Sequence, residues 1–314
     1  MLVVGDVVTD VVARHTTPLT PGTDTVARIR ILPGGAGANA ACWAARSRGR
    51  GDGGPEVRLL GRVGRAEADW HAGRLRAAGV RPLLIADGSA PTATVVALVD
   101  AGTGGERTFL TDSGAVLRIG PADWSPELLD GVGHLHLSGY LLFADAAARL
   151  VRLARESARD RGVTVSVDPA SAGFIARRGT EPVLAALRGV DLVLPNADEA
   201  RLLTGVADPV SAAEVLGRRF GLAVVTLGAE GAVVAGPGGI TARVPAPRAE
   251  AVDTTGAGDA FTGAFLAAWM TGADPAEAAV EGCRAGAEAV TLTGGRPLLP
   301  DGPYEPGAPP GVVG

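Results

Sequence analysis

The amino-acid sequence predicts an α/β fold in three layers, helices on both faces of a mostly parallel sheet, with a small β-sheet lid. Two observations carry this. Along most of the chain, segments of β-branched residues alternate with Ala/Leu/Arg-rich segments, the pattern of repeated βα units. Two stretches break the alternation: "PGTDTVARIRILPGG" and "TATVVALVDAGTGGERTFLTD" read as short strands around Gly-rich turns with no helix between. Far apart in sequence but alike in type, they can pair into a separate sheet over a site.

From the N-terminus, "LVVGDVVTDVV" reads as a first buried strand, "GANAACWAARSRG" as a helix ending at Gly49, and "VRLLGRVG" as the next strand. "EADWHAGRLRAAG" is helical, with Gly79 placed as its C-cap. "HLHLSGYLL" is a strand running into a loop, "ADAAARLVRLARESARDRG" a helix and "VTVSVDP" a strand. "VDLVLPN" and "LAVVTLG" are strands on either side of the short helix "ADEARLLTG". Two helices come last, about 257–271 and 275–290. The expected division is a core of residues 1–12, 32–84 and 112–300 with a lid of 13–31 and 85–111. The loop "RGRGDGGPE" reads as flexible, and 301–314, rich in Pro and Gly, as a disordered tail.

Composition narrows the function classes. The chain has 314 residues, 46% hydrophobic and 20% charged, as a folded globular protein does. With a net charge of −5 and no basic run, nucleic acid is not an expected partner. Asp6 interrupts the first apolar run and the stretch around "AFLAAWM" is too short to span a bilayer, so a cytoplasmic protein without a membrane partner is expected. Cys42 and Cys283, far apart and in helix-like contexts, read as buried thiols. All 29 basic residues are arginine. A chain without lysine has no Walker-A loop, no protein-kinase site and no Schiff base.

The stretch "DTTGAGDAF" carries the most chemistry. Gly256, Ala257 and Gly258 have almost no side chain and precede an apolar helix, so their N–H groups and the helix dipole can hold an anion. Asp259 suits a general base there, and it equally suits a helix cap. In "LPNADEA", Asn196 and Glu199 are spaced as hard oxygen ligands for water-bridged magnesium, or as a capping box. "VVTLGAEGAVV" is a strand, a turn and a second strand along which a nucleotide can lie. His134 and His136 alternate on a strand with no third metal ligand in view, which favours a structural pair. "GGAGANAA" imitates part of a dinucleotide fingerprint but does not open the first βα unit.

Together these segments resemble the ribokinase (PfkB) family of sugar and nucleoside kinases, over nearly the whole chain and in the family's order. "PGGAGANAA" resembles its N-terminal signature, "PNADE" its Asn-x-x-Glu motif, "TLGAEG" its nucleotide loop and "DTTGAGDAF" its C-terminal signature. The resemblance implies a ribokinase-like core, ATP as co-substrate and Mg2+, with transfer of the γ-phosphoryl group to a hydroxymethyl group of a sugar or sugar-like acceptor. A nucleoside acceptor of the adenosine, cytidine or pseudouridine type is the alternative. It implies that Asp259 is the base, with Gly256, Ala257 and Gly258 as the anion hole. Asp10, Gly35 and Asn39 would hold the acceptor. Asn196, Thr226, Gly228 and Gly231 would hold ATP, Glu199 a water-mediated Mg2+, and Asp253 a monovalent cation, with "AVTLTGGRP" as the second half of that cation site. Lid strands in the family often pair between subunits, which implies a homodimer. Three departures stand out: Val8 and Ala36 replace the family's Asn and Lys, and Leu298 replaces a hydroxyl residue at the K+ site.

Overall fold

The computed structural model describes residues 1–47, 56–100, 102 and 106–298. Within these residues the chain builds two sheets. The larger is centred on β1 (Leu2–Val4), which pairs in parallel with β4 (Arg58–Gly64) and β8 (His134–Ser138). Beyond β4 lies β5 (Arg81–Asp87). Beyond β8 come β9 (Thr164–Asp168), β10 (Leu192–Val193) and β11 (Leu222–Thr226), all parallel. The antiparallel ribbon β12 (Ala232–Gly236) and β13 (Gly239–Val244) closes that edge.

Helices cover both faces because the strands are apolar on both faces. Leu2 and Val4 pack with α3 (Asp145–Asp160), α4 (Ala172–Arg178), α5 (Thr180–Ala186), α6 (Ala197–Thr204) and α7 (Pro209–Phe220). Val3, one residue between them, packs with α1 (Ala36–Ser47), α2 (Ala68–Ala77), α8 (Ala257–Met270) and α9 (Pro275–Ala289). The three-layer α/β architecture expected from the sequence is present.

The small sheet has the order β3 (Ala27–Gly34), β2 (Val8–His15), β6 (Ala93–Asp100), β7 (Glu106–Asp112). Its central pair, β2 and β6, is parallel and the outer pairs are antiparallel. The first apolar run is therefore two strands in two different sheets, where one was expected. Gly5 makes the break possible: a Cβ there would lie 2.7 Å from Gly37 Cα, so only glycine lets the chain pass this close beneath α1. The expected boundaries move accordingly. The lid strands take in Val8 to Val12 and Leu32 to Gly34, and β5 holds residues 85–87 in the large sheet. The strand expected in "VDLVLPN" shortens to two paired residues. Gly49, most of "RGRGDGGPE" and the tail 301–314 lie outside the described residues.

Helices α1 and α8 touch at backbone distance. A Cβ on Gly263 would sit 2.3 Å from Ala40 O and 2.8 Å from Ala44 N. Gly263→Ala should therefore force the two helices apart and cost about 1–3 kcal/mol of stability, the scale of overpacking in a filled core. Urea denaturation of the variant measures it.

Candidate active site

The site grows from two helix N-termini that lie side by side. At α8, Gly256 is the residue before the first turn, with φ of +75°, and a Cβ on it would lie 2.4 Å from Gly295 Cα. Glycine is required here on both counts. In the first turn of α8, Ala257 N donates to Thr254 O at 3.4 Å, and the amides that follow have no intrahelical acceptor, as at any helix start. Asp259 sits in this turn, where Oδ2 accepts a 2.8 Å hydrogen bond from Asn39 Nδ2 in α1.

At α1 the cap is Asp6, from the crossover between the two sheets. Its Oδ2 accepts from Ala36 N at 2.7 Å, and its Oδ1 accepts from Gly37 N at 3.1 Å and from Ser138 Oγ at 2.7 Å. Gly35, with φ of +96°, makes the turn: a Cβ there would come within 2.5 Å of Asp6 O. Asp6 is 5% exposed, and the sequence motifs do not mark it as a site residue. The available signal is a charge closing an apolar strand, the position where open α/β sheets place ligand contacts.

The acids crowd together. Burial pushes the Asp259 carboxyl well above its ordinary range; the Asn39 hydrogen bond opposes this, and Asp168, Asp6 and Asp10 add to it. Asp10 is pushed up to about 7, by burial first, with Arg296 opposing and Asp6 and Asp253 adding. Asp168 at the end of β9 and Glu199 are likewise raised, chiefly by burial. Arg296 is the buried cation of the group, 4% exposed, with Nη2 donating to Gly34 O at 3.1 Å. Asp168 is a further site residue that the sequence motifs leave unmarked, and Arg296 lies in "AVTLTGGRP" without a role of its own in that reading.

Two cavities meet at the mouth of α8. One, of about 510 Å³, is lined by Asp10, Gly35, Asn39 and Asp259 together with Asp6, Asp168 and Tyr140. Phe143 and Phe174, stacked with centroids 4.9 Å apart, form its apolar end, and Phe109 covers it from the lid. The other, of about 300 Å³, has Thr226, Gly228 and Gly231 on one wall and Gly286 and Val290 of the α9 region on the opposite wall. The loop between them divides its residues. Thr255, Gly256 and Asp259 face the first cavity, and Thr254, Ala257 and Gly258 face the second.

Asn196 and Glu199 form a complete capping box at α6. Asn196 Oδ1 accepts from Glu199 N at 3.0 Å, and the Glu199 oxygens accept from Asn196 N at 3.0 Å and Asn196 Nδ2 at 2.7 Å. A β-bridge to Thr226 brings the pair beside the nucleotide turn, although neither residue lines the two cavities. Both carboxylate oxygens of Glu199 are engaged, a donor set that fits an ion held through water better than one bound directly. Asp253 holds its loop closed, accepting from Thr255 N at 2.8 Å and Gly294 N at 3.1 Å. It faces a third cavity beside the lid. His134 Nε2 and His136 Nδ1 both bond Ser166 Oγ, at 2.7 and 2.8 Å, and burial drives both pKa values down to about 3. They are a structural pair.

A family model described as pfkB family carbohydrate kinase matches residues 1–301. The chain belongs to that family. An ATP-dependent ribose-1-phosphate kinase from Halopiger xanaduensis is 34% identical over 185 residues, which cover 58% of this chain and 56% of the relative. The match thus spans about half the length of these curated relatives. Among solved structures, adenosine kinase from Sinorhizobium meliloti superposes with a TM-score of 0.81 at 26% identity, covering 95% of each chain. An E. coli protein solved in complex with ATP and Mg2+ shares the fold, with a TM-score of 0.81 at 23% identity over 94% of this chain and 93% of that one. The segments "PGGAGANAA" and "DTTGAGDAF" build the two adjacent helix starts.

The crowded acids have two measurable effects. An Asp10 carboxyl raised to about 7 is neutral below that pH and charged above it. If the charged form binds acceptor hydroxyls, kcat/KM for the acceptor should climb about tenfold per pH unit up to pH 7 and then level. Asp10→Asn should remove that limb from the pH–rate profile. Asp259 has a folded-state pKa above its unfolded value, so its ionisation opposes folding at neutral pH, and this cost is absent below about pH 4. Asp259→Asn should raise Tm at pH 8 and leave it unchanged at pH 4, read by thermal melts at both values.

Proposed function

We propose that this chain is a phosphotransferase that moves the γ-phosphoryl group of ATP to a hydroxymethyl group of a sugar or sugar-like acceptor. The observation that carries the reading is the shared wall. One loop presents the Asp259 carboxylate to one cavity and the backbone of Ala257 and Gly258 to the other, so an acceptor hydroxyl and a terminal phosphate can meet across it.

In this reading Asp259 takes the proton of the attacking hydroxyl, and Asn39 fixes the carboxylate's direction through the 2.8 Å bond. Asp10 and the backbone at Gly35 hold the other acceptor groups. The amides of Gly256, Ala257 and Gly258 stabilise the charge on the transferring group, the task a lysine performs in P-loop sites. Thr226, Gly228 and Gly231 line the slot for ribose and adenine, and Asn196 orients the phosphates. Glu199 would hold magnesium through water, and the ion would supply charge neutralisation for the phosphates. A monovalent cation at Asp253 would brace the loop. Closure of the lid excludes water, which protects ATP from hydrolysis.

The nucleoside alternative has one observation in its favour. The stacked Phe143 and Phe174, with Tyr140 edge-on to Phe174 at 5.6 Å, offer an aromatic slot where a base can stack. On the lid's outer face, Ile29 and Leu110 are 63% and 57% exposed, a surface suited to a second copy of the chain. No helix of the described residues is long and apolar enough to cross a membrane, in keeping with a cytoplasmic setting.

Acceptor-dependent ADP release from MgATP over a panel of sugars and nucleosides tests the reading. Asp259→Asn should lower turnover about a hundredfold to ten-thousandfold while ATP still binds. Near-normal turnover in that variant would overturn the assignment of the base. Titration with K+ in place of Na+ tests the cation at Asp253.

A further inference from the structure

The third cavity, about 750 Å³, lies under the same lid face that carries Asp10. Side chains alternate along β2, so Asp10, Val12 and Arg14 share a face, and register places Arg30 opposite Val12 and Arg28 opposite Arg14. Arg14, Arg28 and Arg30 all line the cavity, and the core supplies Asp253, Thr254 and Thr293 on the far side. At about 3.3 Å per residue, Val12 and its partner Arg30 lie one side-chain repeat, roughly 7 Å, beyond Asp10.

The arrangement is unfavourable without a counter-charge. Like charges directly opposite on an antiparallel pair repel, and here Arg14 faces Arg28 with Arg30 next on the same strand. Among the described residues none of the three guanidinium groups forms an ion pair or a hydrogen bond, while other arginines of the chain, such as Arg62 and Arg118, are paired to carboxylates. An acidic protein has thus gathered three guanidinium groups on one wall and left them unneutralised. The one carboxylate in the lining, Asp253, already accepts two backbone N–H bonds. Guanidinium forks match the oxygens of a phosphate group.

We propose that this chamber is a phosphate-binding subsite for the acceptor, so that the favoured acceptor already carries a phosphomonoester away from the hydroxyl that reacts. The inference rests on the kinase reading and narrows its substrate class. Free inorganic phosphate and the nucleotide's own phosphates share this chemistry. The nucleotide is the nearest competitor, because Ala251 and Thr254 border both the arginine chamber and the nucleotide cavity.

The test compares wild type with R28Q/R30Q and R28K/R30K. Pentose and hexose monophosphates and the corresponding free sugars serve as acceptors, with and without inorganic phosphate. Losing hydrogen bonds to a charged group should raise KM for sugar phosphates about 10- to 100-fold in R28Q/R30Q, and collapse the kcat/KM ratio of phosphorylated over free sugar. R28K/R30K should recover part of the ratio. Thermal stabilisation by sugar phosphates without ATP should weaken in parallel. A change confined to KM for ATP would assign the chamber to the nucleotide and overturn the proposal. Stimulation of free-sugar turnover by inorganic phosphate, lost in R28Q/R30Q, would assign it to a free anion and overturn it as well. So would a wild type that prefers free sugars with an unaltered ratio in the variants. Absence of ADP release with every acceptor would defeat the kinase reading instead, while the thermal shift still reports on the subsite.

Discussion

The Asp6 carboxylate is the joint on which the site depends. It closes the N-terminus of α1 through Ala36 and Gly37 and reaches across to Ser138 at the end of β8. One side chain thereby fixes a helix, a strand end and the crossover into the lid. The hold passes from α1 to α8: α1 carries Asn39, and Asn39 holds Asp259 at the mouth of α8. The close approaches at Gly5 and Gly37 fix the backbone beneath α1, so Asn39 reaches Asp259 from a firmly seated helix.

Concentrating Asp6, Asp10, Asp168 and Asp259 around one cavity is costly for an empty protein. Arg296 offsets part of the cost from beneath, through Gly34 and its field on Asp10. The balance is that of a site awaiting charge and hydroxyl groups from outside. A single well-placed acid would serve a structural cap; several raised together suit proton removal and hydroxyl recognition.

Much of this is legible in the sequence because the motifs are local. The glycine-rich start of α8, the Asn196–Glu199 box and the turn at Gly228 act over a few residues, and the run of apolar strands sets the layers. The features that escape a sequence reading are non-local or weakly patterned. Asp6 reads as a flaw in an apolar strand until α1 folds over it. Arg296 becomes a partner of Gly34 only across 262 residues of chain. The lid boundaries slip because β2 continues the apolar run of β1 without a turn residue beyond Gly5. Helices α4 and α5, seven residues each, are too short to show a period.

The lack of lysine reaches beyond the phosphate chemistry. None of the 314 side chains carries an aliphatic amine. Acylation, glycation and ubiquitin attachment at side-chain amines are closed to this protein. Amine-directed coupling to a dye or a surface finds no side chain to attack anywhere in this sequence.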